Sequence, residues 1–139
     1  MNKPFTGGCL CGAVRYECGG EPIRMAHCFC TDCQKAGGTQ MSTNVLVPKD
    51  SLKLTKGKPA QYAKVGDSGK KVTRFFCSTC GSPLWSEPEV VAEMRIIKAG
   101  SLDDSSWVKP QVGIYMDSAP MWRAVPQGIA AFGKMPPPA

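Results

Sequence analysis

A chain of 139 residues, 42% of them hydrophobic and 20% charged, is sized and composed for one soluble globular domain with a proper core. Its longest apolar runs, Val90-Val91-Ala92 and Ile129-Ala130-Ala131-Phe132, are far shorter than the ~20 residues of a membrane span, so no membrane partner is expected. The formal charge of +6 counts every cysteine as neutral; two divalent ions add four and seven thiolates remove seven, leaving +3 on scattered basic residues, so nucleic acid is not the expected partner.

Met1-Asn2-Lys3-Pro4-Phe5 shows no charged region followed by an apolar stretch, so no secretory signal is read and a cytoplasmic location is expected. In that reducing compartment, eight cysteines point to metal or redox chemistry rather than disulfides. Gly7-Gly8-Cys9-Leu10-Cys11-Gly12 opens the fold; its Cys-x-Cys places two sulfurs on one side, and the glycines permit the tight backbone of a metal loop. Residues 13–18 alternate apolar with polar as a strand, 19–22 end it, and 23–28 form a second strand. That strand leads into His27-Cys28-Phe29-Cys30-Thr31-Asp32-Cys33, after which Gln34-Lys35-Ala36-Gly37-Gly38 reads as a loop.

Short β-like runs follow at 43–47, 51–55, 61–65 and 71–76. Between them lies turn chemistry at Pro48-Lys49-Asp50, Lys56-Gly57-Lys58-Pro59 and Gly66-Asp67-Ser68-Gly69. Cys77-Ser78-Thr79-Cys80-Gly81 is a second knuckle, with Gly81 placed for a positive φ. Residues 83–86 and 94–99 read as strands, a helix over 90–97 being the alternative. Residues 102–107 form a loop and 111–116 a last strand, Met121-Trp122 is expected to pack back on the core, and the Pro-rich tail 134–139 is expected to lack structure. The expectation is a mostly-β single domain over 1–139, with no repeats and no dividing linker.

Seven cysteines fall into three groups. Cys9 and Cys11 with Cys77 and Cys80 make a closed four-thiolate site, which contributes folding energy. Cys28, Cys30 and Cys33 make a separate three-thiolate site with one tetrahedral position open, as in catalytic zinc centres. The rival division is a zinc ribbon of Cys30/Cys33 with Cys77/Cys80; its gap of about 43 residues exceeds the ~15–20 usual for ribbons, and it leaves Cys9, Cys11 and Cys28 over. Cys18 reads as a small buried hydrophobe, the alternative being a ligand or resolving thiol. His27 alternates with Cys28 along a strand and should face away from the metal, its other reading being a fourth ligand or proton carrier. Asp32 reads as a solvated turn residue rather than a general base. Trp85, Trp107 and Trp122 read as core or pocket wall.

These motifs, with Arg74-Phe75-Phe76-Cys77-Ser78-Thr79-Cys80-Gly81-Ser82-Pro83-Leu84, resemble in order and spacing the glutathione-dependent formaldehyde-activating enzyme family, which includes the domain of centromere protein V. Gly100-Ser101-Leu102 and the region 110–122 resemble its closing segment, so the likeness covers about residues 5–127. The resemblance implies a β-tent of small antiparallel sheets organised around two zinc ions: a structural zinc on Cys9, Cys11, Cys77 and Cys80, and a catalytic zinc on Cys28, Cys30 and Cys33. It implies a carbon–sulfur lyase that condenses glutathione with formaldehyde to S-(hydroxymethyl)glutathione, or a related thiol with another small aldehyde. The alternative is a zinc-stabilised binding module without turnover, engaging nucleic acid or protein. Where many members carry His between the first two central cysteines, this chain has Phe29; where many carry His in the penultimate strand segment, it has Gly113. Glutathione would need a cation for its carboxylates, and Arg24, Lys35 and Arg74 are candidates by sequence proximity.

Overall fold

The computed structural model describes residues 4–137. Two sheets form the molecule. β1 (Phe5–Gly8), β2 (Arg15–Cys18) and β5 (Leu52–Lys56) make a three-stranded antiparallel sheet in the order β1-β2-β5. The second sheet contains β3 (Arg24–Cys28), β4 (Ser42–Pro48), β6 (Ala60–Val65), β7 (Lys71–Phe76), β8 (Pro83–Pro88), β9 (Met94–Lys98), β10 (Val112–Ile114) and β11 (Ala130–Ala131). Its order is β11-β10-β3-β4-β9-β8-β7-β6. A short helix, α1 (Thr31–Gly37), follows β3.

The mostly-β single domain expected from the sequence is the fold found, with four departures. Residues 34–38 are not a loop: α1 runs through them and stops only at Gly38, which takes the left-handed conformation (φ 66°). The strand over 111–116 is not the last, because β11 follows it. The sheet is not wholly antiparallel, since β10 runs parallel to both β3 and β11. Met121 and Trp122 do not pack on the core; they are 95% and 69% exposed. The alternative of a helix over 90–97 gives way to a 3₁₀ turn at Glu89–Val91 and then β9. The tail expected to be unstructured begins tied down, with the Lys134 carbonyl accepting from the Tyr115 N–H at 3.2 Å; Pro138 and Ala139 lie outside the described residues. No described helix is long and apolar enough to cross a membrane.

Register decides which side chains enter the core. Val45, Ile97, Trp85 and Phe75 are successive cross-strand partners on β4, β9, β8 and β7. Partners directly opposite share a face, and this row packs against Phe5, Tyr16, Cys18 and Leu52 of the smaller sheet. Trp85 stacks on Phe75 at 5.0 Å and meets Tyr16 edge-on at 6.2 Å. Side chains alternate along a strand, so the next row faces the other way: Leu46, Ile96, Ser86, Arg74 and Tyr62. Cys28, Ser42, Asn44 and Lys98 fall on that same second face, through the Cys28–Ser42 and Asn44–Lys98 pairings. One face is core. The other carries the chemistry.

Gly7 shows how closely β1 meets its partner strand β2 and the turn after β9: a Cβ there would lie 2.3 Å from the Tyr16 hydroxyl and 2.5 Å from the Ser101 carbonyl oxygen. Only glycine fits such an approach.

Candidate metal centres and cleft

Two groups of sulfurs come together. Cys9, Cys11, Cys77 and Cys80 lie within 4.8 Å of one another, as do Cys28, Cys30 and Cys33. These are the two divisions read from the sequence, and the ribbon alternative, which joined Cys30 and Cys33 to Cys77 and Cys80, is not assembled. All eight cysteines are free thiols. Cys18 stands apart, fully buried on β2 with its sulfur 3.4 Å from the Ser51 hydroxyl.

The four-sulfur group joins two turns. Cys9 and Cys11 follow β1, while Cys77 and Cys80 lie between β7 and β8, where Gly81 takes a φ of 78°. Four sulfurs at ~2.3 Å from a tetrahedral ion would be spaced ~3.8 Å apart. The structure gives 3.7 Å for Cys9–Cys11 and 3.8 Å for Cys11–Cys77. The backbone N–H of Val14 donates to the Cys9 sulfur at 3.2 Å, and those of Thr79 and Cys80 to the Cys77 sulfur at 3.4 and 3.5 Å. The Val14 donor holds the Cys9 thiol below its ordinary range, toward the thiolate form that binds metal. The Ser82 hydroxyl and N–H hold the Cys80 thiol down to about 5. This group fits a thiolate-preferring ion such as zinc.

The three-sulfur group arises from one short segment. Cys28 ends β3, Cys30 is the N-cap of α1, and Cys33 lies in its first turn. The Cys30 sulfur accepts the Cys33 N–H at 3.2 Å, so one ligand atom also caps the helix. Gln34 secures the segment by donating to the Phe29 carbonyl at 2.7 Å and the Ser118 carbonyl at 2.9 Å. Asp32 is not a turn residue; it sits in α1 and pairs with Lys64 of β6 at 2.6 Å. Hydrogen bonding from Cys28 and then Cys30, with help from the charges of Lys98 and Arg74, holds the Cys33 thiol well below its ordinary range. The same bonding to Cys30 and Cys33, together with burial, pushes Cys28 up. Cys33 is thus the sulfur of the three that faces two cations, Lys98 and Arg74.

His27 occupies the opposite face from Cys28, with Nδ1 2.9 Å from the Thr43 hydroxyl, and it is not in the sulfur cluster. Phe29 is fully buried, and a Cβ on Gly113 would lie 3.6 Å from its ring. The two departures from the family pattern are thus neighbours in space, an apolar ring facing a residue without a side chain.

A cleft of about 950 Å³ extends from the Cys9–Leu10 turn to Cys33, lined on the way by Arg74, Ser86, Lys98 and Ser42. Sequence proximity had suggested Arg24, Lys35 and Arg74 as cations near the metal. Arg74 does line the cleft, whereas Arg24 and Lys35 are exposed and do not. Lys98 was missed. Its ammonium donates to Ser42 Oγ at 3.1 Å and Asn44 Oδ1 at 3.2 Å, burial pushes its pKa down, and the charge of all three central cysteines opposes that shift. The available signal was a lysine on the same face as Met94 and Ile96, at the end of β9. Tyr115 was also missed; it is the one non-glycine residue at positive φ (56°) among those described, and its hydroxyl lies 3.4 Å from Asp67 Oδ2.

Residues 4–118 match the sequence model of the family described as "Glutathione-dependent formaldehyde-activating enzyme". A relative from Halomonas elongata, named "Putative glutathione-dependent formaldehyde-activating enzyme", is 29% identical over 85% of this chain and 78% of its own length. A relative of the same name from Aspergillus oryzae is 26% identical over 82% of this chain. The chain spans 63% of that fungal protein's length. A crystal structure of a Rhodobacter sphaeroides protein has the same fold, with a TM-score of 0.59 and 20% identity over 91% of this chain and 98% of that one.

Proposed function

The chain belongs to the glutathione-dependent formaldehyde-activating enzyme family, and from that membership we propose that it is a carbon–sulfur lyase acting at Cys28, Cys30 and Cys33. It joins glutathione, or a related thiol, to formaldehyde or another small aldehyde. A new S–C bond forms, the carbonyl becomes a hydroxyl, and the thiol proton is transferred to that oxygen. Nothing is oxidised or reduced. We place this chemistry in the cytoplasm, where thiols stay reduced.

The observation that carries the reading is the contrast in ligand number. Four sulfurs close a tetrahedral site, whereas three leave room for a further thiol, and a cleft of substrate size reaches the three-sulfur group at Cys33. Cys28, Cys30 and Cys33 would hold a zinc ion, which when bound would supply an electrophile able to favour the thiolate form of an incoming thiol. The zinc held by Cys9, Cys11, Cys77 and Cys80 is structural.

The protein's own groups solve the remaining problem, which is charge. Three thiolates around a divalent ion carry a net charge of about −1, which repels a second anion. Lys98 and Arg74 face Cys33 from β9 and β7 and offset that charge. Lys98 is fixed for this role by Ser42 and Asn44. The cleft walls limit the positions available to the thiol and aldehyde, converting an encounter in solution into a held pair.

Exchange NMR of formaldehyde and glutathione tests the proposal. Zinc-loaded protein should accelerate adduct formation over the spontaneous rate, and Cys33→Ser should abolish the acceleration while keeping the fold. No acceleration by protein carrying both zinc ions, with formaldehyde or with other small aldehydes, would sink the reading.

A further inference from the structure

The second face of the large sheet holds two buried polar atoms without a partner among the described residues. They are Arg74 Nε on β7 and Ser86 Oγ on β8. Arg95 Nε, which is also buried without a well-directed hydrogen bond, lies 3.0 Å from Glu87 Oε2 and is therefore ion-paired. Arg74 and Ser86 have no such compensation. Leaving a buried donor unpaired costs more than most hydrogen bonds contribute, so such groups mark places where something else binds.

Their placement narrows what that is. Arg74 and Ser86 are direct cross-strand partners, which keeps their Cβ atoms about 4.5–5.5 Å apart on one face. Both line the cleft that contains Cys33. Ser86 is 2% exposed, so its hydroxyl is reached only through that cleft. A guanidinium N–H and a hydroxyl side by side are two donors with one positive charge, which matches the two oxygens of a carboxylate. Lys98 is less available for this role, since two of its three N–H donors go to Ser42 and Asn44.

We propose that Arg74 and Ser86 form a carboxylate-binding pair on the cleft floor, which restricts the thiol substrate to acids by holding a carboxylate while the sulfur reaches the Cys28/Cys30/Cys33 centre. The inference rests on the proposed reaction for its substrate but not for its test. The pair acts on ground-state binding. Thiols lacking a carboxylate, such as cysteamine, are poor ligands on this basis, whereas glutathione offers two carboxylates.

Calorimetric titration of the zinc-loaded protein with glutathione and with its diethyl ester reads the carboxylate directly. Wild type should bind the acid at least about tenfold more tightly than the ester, the range expected for a hydrogen-bonded charge pair. Arg74→Met should weaken the acid by a similar factor and erase the acid–ester ratio. Arg74→Lys should restore part of it, and Ser86→Ala should reduce it about threefold. Zinc content and circular dichroism check that each variant is folded; should Arg74→Met fail to fold, the wild-type ratio and Ser86→Ala decide the matter. Equal binding of acid and ester, an unchanged ratio in Arg74→Met or in Ser86→Ala, or no binding of glutathione to wild type would each overturn the pair. The reaction fails separately. Arg74-dependent acid binding without accelerated adduct formation removes the lyase and leaves the carboxylate site, and acceleration without an acid–ester difference does the reverse.

Discussion

The two sulfur groups use the same donor atom for opposite ends, and the difference lies in what surrounds the sulfurs. The four-sulfur group joins turns 66 residues apart at its Cys11–Cys77 contact, and its sulfurs take neutral backbone N–H donors at Cys9 and Cys77. The three-sulfur group comes from a single six-residue stretch, and its neighbours are a held lysine, an arginine and a cleft. Backbone donors surround the first group, whereas the second adds two side-chain cations and open volume to its single backbone donor at Cys30. The two groups thus differ in their second layer of contacts as well as in ligand number.

The largest expected effect tests the staple. Cys77→Ser should remove one zinc and, with it, the link between the β1–β2 and β7–β8 turns; cooperative folding should be lost or the melting temperature should fall by more than about 10 °C, read by circular dichroism beside zinc analysis. Cys33→Ser should remove the other zinc and all acceleration of adduct formation, yet change the melting temperature by less than about 5 °C, since no distant segments depend on it. On acidification or mild chelation of wild type, zinc should leave the three-sulfur group first, because fewer thiolates hold it against protons. Equal release from both groups would erase the distinction.

Subtler changes sharpen it. Lys98→Met should keep both metals but raise the thiol concentration for half-saturation about tenfold, read from the charge-transfer band of cobalt-substituted protein. Near the staple, Arg15 and Asp103 form an exposed ion pair, and Arg15, then Thr6, holds the Asp103 carboxyl down to about 2. A lowered carboxylate contributes fully above its ordinary value of 3.8 and loses that contribution as pH falls toward 2. Asp103→Asn should therefore cost no more than about 1 kcal/mol in urea unfolding, with the same difference at about pH 8 and about pH 6.

The cysteine grouping was legible in the sequence because ligand spacing is local within each motif, and the long gap between Cys33 and Cys77 argued against the ribbon pairing. The strands of β4, β6 and β7 were legible for a similar reason, their alternation being bounded by Pro and Gly turns. The helix α1 was hidden by its cap: a cysteine at the N-cap looks like a metal ligand and nothing more, and Gly37-Gly38 looks like a loop until Gly38 is seen ending a helix. β11 has two residues and no periodicity to detect. Met121 and Trp122 carry apolar side chains that composition assigns inward and the fold leaves outside. Arg74 was a candidate by sequence proximity, but its partnership with Ser86 was the least legible feature of all. Their adjacency depends on the β7–β8 register, which shifts between Phe75 and Phe76, and no property of either residue alone reveals it.

The parallel pairing of β10 with β3 has a consequence for the chain during its synthesis. Cys28, Cys30 and Cys33 are complete once residue 33 is made, but the Phe29 N–H between them bonds the carbonyl of Ile114, 81 residues later. At 5–20 residues per second, that interval is about 4–16 s. For that time the three thiols form a flexible chelate on a nascent chain, accessible to any thiophilic ion. The arrival of β10 then fixes the backbone between the sulfurs, so a three-sulfur group encoded in the first third of the polypeptide is completed only by its last.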